Sequence, residues 1–243
     1  MKIIQVFINN SLRNFNYILY SEINNQAIIF DPTDIRVTRP VWEKQGLTPR
    51  YLINTHQHHD HIADNEAFLK LPDTELVKLK DGEEFFLSPT EKIICRFTPG
   101  HVMDHQCFFI YAGDEITGVI CGDTIFNAGI GNIRGGGNID TYYETMRDIF
   151  LPLNNNIIIY PSHDYFLNNL NFAKTVDPNN QNIQDYILKR EAQNLDKEFM
   201  LTTIGEERIF NPFFRAFQSE YREQFNKTEK ELFVYLRQQR DKW

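Results

Sequence analysis

Four apolar stretches of this chain each run straight into a histidine or an aspartate, and that arrangement restricts the fold more than any other feature. Tyr51-Leu52-Ile53-Asn54 leads into His56, Cys95-Arg96-Phe97 into His101, Ile120-Cys121 into Asp123, and Ile157 to Tyr160 into His163. Short runs of this kind, rich in Ile, Phe or Tyr and bounded by turn residues, read as β-strands. If the strands lie side by side, their end loops converge on one edge of a sheet, where sites are commonly assembled. All 7 histidines fall in three clusters: Thr55-His56-Gln57-His58-His59-Asp60-His61, Thr98-Pro99-Gly100-His101 with His105 just beyond, and Pro161-Ser162-His163-Asp164-Tyr165. A neutral imidazole is the commonest protein metal ligand, and interleaved aspartates add oxygen donors suited to zinc or a similar divalent ion.

Within the first cluster, His56 and His58 are two apart, so an extended loop points both the same way. Asp60 and His61 are adjacent and face differently, which suits a second ion. His101 is the expected third ligand of the first ion. Asp123, with two free oxygens, is expected to bridge the pair, and His163 to complete the second site with Asp60, His61 and Asp123. His59, His105 and Asp164 fit either an orienting role or an ordinary surface or core position. Two ions sharing a bridging oxygen lower the pKa of bound water towards about 7 and stabilise attacking and leaving atoms. The expected chemistry is therefore metal-assisted hydrolysis of an ester, thioester, amide or phosphoester, with Asp60 and Asp123 tuning the ions and handling the proton.

The totals agree with a globular protein. Of 243 residues 42% are hydrophobic, with 20 Phe and 11 Tyr to fill a core. A net charge of -8 speaks against nucleic-acid or anionic-membrane partners. Cys95, Cys107 and Cys121 form no Cys-x-x-Cys pair and are expected as buried free thiols. The N-terminus enters a strand pattern at once, with no signal-peptide core, and no apolar run is long enough to span a membrane. A cytoplasmic protein, a monomer or weak oligomer with a small-molecule partner, is the expectation.

Strands are expected at Ile3 to Asn9, Phe15 to Ser21, Gln26 to Phe30, Ile93 to Thr98, Cys107 to Tyr111 and Gly118 to Cys121. Asp31-Pro32 and Ala112-Gly113-Asp114 supply turns between them. Helices are expected at Val37 to Gln45, Asp64 to Lys70 and Asp140 to Phe150. Beyond about 166 the pattern becomes helical, including Asn182 to Glu198 and a last helix opened by the capping box Thr228-Glu229-Lys230-Glu231. On that helix Arg237 and Arg240 lie three apart, as surface neighbours.

The segment at 55–61, Thr98-Pro99-Gly100-His101, Gly122-Asp123-Thr124-Ile125-Phe126 and Pro161-Ser162-His163-Asp164-Tyr165 resemble the metallo-β-lactamase superfamily. Their order and spacing are similar to those of glyoxalase II, the hydroxyacylglutathione hydrolases. Asn168-Asn169-Leu170-Asn171-Phe172-Ala173, Asn211-Pro212-Phe213-Phe214-Arg215 and the terminal Leu-Arg-Gln-Gln-Arg-Asp extend the likeness into that family's helical C-terminus.

The resemblance implies an α/β fold, a four-layer αβ/βα sandwich of two mixed sheets with a C-terminal helical subdomain. Residues 1–165 would form the catalytic domain and 166–243 the substrate-binding one. It implies hydrolysis of S-D-lactoylglutathione to D-lactate and glutathione, in methylglyoxal detoxification, by a dinuclear centre of zinc, with iron or manganese as alternatives. His56, His58 and His101 would hold one ion and Asp60, His61 and His163 the other, with Asp123 bridging. Tyr165, Arg237 and Arg240 fall on glutathione-contacting positions. One loop departs from the family: Asn132 stands at a basic position and Arg134 where a tyrosine is expected. That loop leaves the acyl-thiol open. The rival activities on the same fold are a mononuclear iron persulfide dioxygenase and a lactonase or other small-ester hydrolase. The rival from another class is a metal-binding protein without turnover.

Overall fold

Alternation of side chains along the strands sets the layering. The computed structural model covers residues 1–243. A first sheet joins β1 (Lys2–Phe7), β2 (Phe15–Tyr20), β3 (Gln26–Phe30), β4 (Thr48–Ile53) and β5 (Glu75–Leu76) in sequence order. β1–β2 and β2–β3 pair antiparallel, β3–β4 and β4–β5 parallel. The second sheet holds β6 (Glu84–Ser88), β7 (Glu91–Phe97), β8 (Gln106–Ala112) and β9 (Glu115–Gly122). After β9 comes a small hairpin of β10 (Ile125–Phe126) and β11 (Gly129–Ile130). β12 (Ile158–Pro161) then pairs parallel to β9, and β13 (Thr202–Thr203) closes the edge.

Successive residues of a strand face opposite sides. Ile28 and Phe30 of β3, Phe108 and Ile110 of β8, and Ile120 of β9 therefore meet in one cluster between the two sheets. Their neighbours Ala27 and Ile29 face outward, under Trp42 of α1 (Ile35–Lys44) and Phe68. Cys107, Phe109, Val119 and Cys121 face outward on the other sheet, into a cluster of 21 buried residues that includes Tyr142, Phe213, Leu232, Phe233 and Leu236. Three apolar interfaces thus separate four layers, helix–sheet–sheet–helix, the expected sandwich. Strands apolar on both faces are what such burial demands.

In the first histidine cluster the extended backbone stops at His58. His59–Ile62 forms one turn, α2, followed by α3 (Asn65–Phe68), shorter than the helix expected over 64–70. α4 (Ile139–Thr145) runs on into a π-helical turn at Met146–Phe150. The C-terminal part holds α5 (Phe166–Val176), α6 (Gln181–Glu191), α7 (Ile204–Phe210), α8 (Pro212–Arg215), α9 (Ser219–Glu223) and α10 (Glu229–Lys242). α6 ends at Glu191 and not at Glu198, because the chain folds back so that Arg190 Nη1 donates to the Glu198 carbonyl at 2.8 Å. The Thr228 capping box forms as read, with Glu231 accepting from the Thr228 N–H at 2.9 Å. No helix is long and apolar enough to cross a membrane. All three cysteines are buried free thiols.

The C-terminal helices pack on the β10–β11 hairpin through buried polar groups. The Glu207 carboxylate accepts from the Ala128 N–H at 3.0 Å and from Asn211 Nδ2 at 2.7 Å, and the Thr202 hydroxyl donates to it at 2.5 Å. Burial pushes this carboxyl up to about 8, with Glu206 adding to the shift and the three donors opposing it. An acid whose folded pKa lies above its ordinary value of 4.5 binds its proton more tightly when folded. Its contribution to stability is fully present below that ordinary value and is lost as pH rises through about 8. Stability is expected to fall by something on the order of 3–5 kcal/mol across this window from Glu207 alone. Glu207→Gln, isosteric with the protonated acid, should flatten the decline. Urea midpoints measured at several pH values in that window check this; parallel slopes for the two proteins would refute it.

Candidate metal centre

Every sequence-selected donor arrives at the same edge of the sandwich, each from its own strand end. β4 delivers His56 and His58 and the α2 turn delivers Asp60 and His61. The loop after β7 delivers His101, β9 delivers Asp123, and β12 delivers His163. The donors fall into two groups, His56, His58, His101 and Asp123 in one and Asp60, His61 and His163 in the other, each within 4.8 Å. Asp123 touches both: Oδ2 lies 3.3 Å from His101 Nε2, while Oδ1 lies 3.4 Å from His61 Nε2 and 3.3 Å from His163 Nε2.

These spacings test whether a metal fits. A tetrahedral ion with bonds near 2.0–2.1 Å sets its ligand atoms about 3.3 Å apart. His56 Nε2 and His58 Nδ1 are 3.0 Å apart, His58 Nδ1 and His101 Nε2 3.1 Å, and Asp60 Oδ2 lies 3.4 and 3.5 Å from the His61 and His163 Nε2 atoms. His61 Nε2 and Asp123 Oδ1 are buried without a hydrogen-bond partner, an arrangement costly unless a cation completes it. The donor set fits divalent ions.

Every ring of the two groups except that of His58 is anchored on its opposite side, which fixes the donor orientation. His56 Nδ1 meets the Thr55 hydroxyl at 3.0 Å, His101 Nδ1 the Asn132 carbonyl at 2.6 Å, and His163 Nδ1 the Leu12 carbonyl at 2.8 Å. Asn14 Nδ2 donates to Asp60 Oδ2 at 2.8 Å. Burial keeps His56, His101 and His105 well towards the neutral form, against the pull of Asp123. Burial also presses His61 down, but the carboxylates of Asp123 and Asp31 outweigh it and hold the ring at about 9. Asp123 stays ionised: burial opposes this, and His163 and His61 more than compensate.

Asp31 is the functional residue that reading by sequence passed over as a turn. It is 3% exposed and accepts from the Thr55 N–H and hydroxyl, both at 2.7 Å, and from His61 Nδ1 at 2.9 Å. The signal was present, because Asp31 follows the apolar strand β3 as the other site residues follow theirs. His105 is fully buried and takes the Asp123 N–H on Nε2 at 3.0 Å, so it supports Asp123 from behind. His59 is exposed and joins neither group. Asp164 faces away, between Arg13 at 2.8 Å and Arg190 at 3.0 Å.

A cleft of about 190 Å³ opens beside the second group, lined by residues that include Phe126, Asn132, Arg134, Tyr165, Arg237 and Arg240. The Tyr165 ring stacks on His163, centroids 4.9 Å apart and nearly parallel, and burial pushes its hydroxyl pKa up, so it stays protonated. Arg240 lies against Asn168 and Asn169, between the Phe172 and Trp243 rings. Arg134 is exposed and reaches the Asp241 carbonyl at 2.7 Å. Asn132 presents its carbonyl to His101, while its side chain takes the Arg134 N–H at 2.9 Å. Arg237 is 5% exposed, with Nη1 on the Ile130 and Gly131 carbonyls, both at 3.2 Å, and Nη2 on Asp241 at 2.9 Å. The two arginines read as surface neighbours therefore differ in burial, although both line the cleft: Arg237 is buried, with Nη1 and Nη2 on protein groups and Nε without a partner, and Arg240 is the more exposed.

Comparison with known proteins places this site in context. Residues 164–243 match the model described as Hydroxyacylglutathione hydrolase C-terminus, and residues 15–93 that of the Metallo-beta-lactamase superfamily. A hydroxyacylglutathione hydrolase of Nitrosococcus oceani is 31% identical over 266 residues, covering 100% of both chains. One from Polaromonas sp. is 29% identical over 262 residues, covering 98% of each. Among solved structures, ETHE1 from Myxococcus xanthus superposes with a TM-score of 0.71 at 22% identity, over 98% of this chain and 90% of its own, a likeness of fold.

Proposed function

We propose, because this chain belongs to the hydroxyacylglutathione hydrolase family and is a metal-dependent hydrolase, that it cleaves acyl-glutathione thioesters, S-D-lactoylglutathione foremost, to the hydroxy acid and glutathione. The observation that carries this reading is adjacency. Tyr165 is both a wall of the basic cleft and the ring stacked on His163, so a thiol carrier bound in the cleft sets its acyl end beside Asp123.

His56, His58 and His101 would hold one divalent ion and Asp60, His61 and His163 the other, with Asp123 shared. Zinc is the first choice for these nitrogen and oxygen donors, with iron or manganese as alternatives. Such ions supply a water acidic enough to be nucleophilic near neutral pH and a Lewis acid for the thioester carbonyl. Asp60, held by Asn14 and partly exposed, accepts the proton released by the attacking water. The Tyr165 hydroxyl donates to the carrier peptide, and the free guanidinium edges of Arg240 and Arg134 pair with its carboxylates. The thiolate departs without prior protonation, since thiols are acidic enough to leave as anions.

The test is thiol release from S-D-lactoylglutathione by metal-loaded protein, followed with a thiol-reactive dye. Rapid release that a chelator abolishes is the expected result. No release with both ions in place would overturn the proposal, and oxygen uptake by a form holding a single iron would replace hydrolysis by persulfide oxidation.

A further inference from the structure

Leu12 and Asn14, in the loop between β1 and β2, each orient a donor of the same metal group. His163 Nδ1 donates to the Leu12 carbonyl and Asn14 Nδ2 donates to Asp60 Oδ2, both at 2.8 Å. The Asn14 amide is itself aimed, because Asn10 Nδ2 donates to its Oδ1 at 2.8 Å. The rings of His56 and His101, in the other group, take their anchors elsewhere, from Thr55 and Asn132. Arg13 sits between Leu12 and Asn14 with a φ of +55°, the left-handed region that costs a residue with a Cβ about 1–2 kcal/mol. Its side chain supplies the restraint. Nη2 lies 2.8 Å from Asp164 Oδ2, Nη1 lies 2.8 Å from Asp196 Oδ1, and the Leu195 carbonyl accepts a further bond. The guanidinium also lies over the Phe7 ring, 4.9 Å from its centroid. Asp164 is fixed in turn by buried Arg190 at 3.0 Å, and its N–H donates to the Arg13 carbonyl at 3.0 Å. The grip thus passes from the segment after α6, which supplies Leu195 and Asp196, through Arg13 to two metal-binding side chains.

We propose that Arg13 is a positioning residue for the ion of the Asp60, His61 and His163 group, setting the affinity of that ion and not of its neighbour. Without the guanidinium the loop is free to leave its left-handed turn, and the Leu12 carbonyl and the Asn14 amide move together. Two of the donors then lose the partners that fix their orientation, and such a loss typically weakens metal binding about 10–100-fold. His61 keeps Asp31 at 2.9 Å, so the site is weakened and not erased. The ion of the other group keeps its anchors at Thr55 and Asn132. An ion pair near the surface contributes little by itself. Arg13 has leverage because its backbone lies between the two orienting groups. A grip on substrate does not fit the geometry, since Arg13 lines a different pocket from the basic cleft, shared with Asp164 and Arg190, and both its terminal nitrogens are engaged.

This inference rests on the metal-centre reading above, and the test separates the two. Metal-free full-length wild type, Arg13→Met and Arg13→Lys are titrated with cobalt(II), recording stoichiometry, stepwise affinity and visible ligand-field bands. They are then assayed for kcat and KM on the glutathione thioester. His163→Ala marks which of the two binding steps belongs to the Asp60, His61 and His163 group. Arg13→Met is expected to weaken that step about 10–100-fold and to keep the other within about twofold of wild type. Its kcat should fall at limiting cobalt and recover as cobalt is raised, with KM within about twofold. Arg13→Lys, which returns a cation to Asp164 and Asp196, should regain part of the lost affinity. Equal weakening of both steps, or a lowered urea midpoint with both affinities unchanged, would overturn the proposal in favour of general support of the fold. A KM raised about tenfold or more with both affinities unchanged would overturn it in favour of substrate contact. If Arg13→Met does not fold, Arg13→Gln, which keeps a polar end and loses the charge, should weaken the same step, and unchanged affinity there refutes the idea. A wild type that takes up no cobalt would sink the metal-centre reading and this proposal with it.

Discussion

Asp123→Ala is expected to lower kcat/KM by about 10³-fold or more, roughly 4 kcal/mol of transition-state stabilisation. It is also expected to reduce bound metal from two ions per chain to one or fewer. The reason is geometric, since no other side chain offers an oxygen to each donor group. Oδ2 lies 3.3 Å from His101 Nε2, and Oδ1 lies 3.4 and 3.3 Å from the Nε2 atoms of His61 and His163. Alanine leaves three imidazoles around a gap and removes the negative charge that offsets two dications. Stability should fall both without and with metal. The metal-free variant loses a buried carboxylate whose charge His163 and His61 favour, so its melting temperature should fall modestly. The metal-supplemented variant should lose most of the stabilisation that binding confers on the folded state. Metal analysis, thiol-release kinetics and melting curves with and without zinc check all three. Wild-type turnover with two bound ions would remove Asp123 from the centre of the mechanism.

Gly131→Ala is expected to damage both stability and the metal centre. A Cβ at this position would sit 2.2 Å from the Asp123 carbonyl oxygen and 2.9 Å from His101 Nδ1. The first is backbone and the second is anchored, so the peptide itself has to move. That movement pulls Gly131 from the Tyr142 hydroxyl and Asn132 from His101. About 3 kcal/mol of stability should be lost through overpacking, together with a 10–100-fold loss of metal affinity. Gly113→Ala is the control. Its φ is +62° but nothing lies within 4 Å, so it pays only the left-handed backbone term of about 1 kcal/mol. Urea unfolding and zinc competition on both variants decide the matter; equal behaviour would show that the close approach at Gly131 is relaxed easily.

Much of this molecule was legible locally. Short apolar runs bounded by turn residues marked the strands, and β3, β8 and β9 indeed separate three apolar interfaces. Thr228 and Glu231 announced the start of α10, and the cap forms. The donors were recognisable because each follows a strand, a pattern that survives in one dimension. Where local reading failed, a contact outside the element itself had intervened. α6 stops early because Arg190 draws in the Glu198 carbonyl. β5 and β13 went unread, being two-residue edge strands whose partners β4 and β12 lie well back in the chain.

Sequence alone determined the kinds of donor present, their spacing along the chain and the strands that deliver them, because propensity, alternation and capping act over a few residues. Tertiary structure decided which donors share a group, with His58 and His101 meeting across 43 positions of sequence. It also turned Asp31 from a turn residue into the anchor of His61, and put Arg237 on the Ile130 carbonyl, 107 positions away, in the cleft that Arg240 also lines. Those assignments depend on how the sheets and helices pack against one another. Packing sums many weak contacts over the whole chain, and no short stretch of sequence contains that sum.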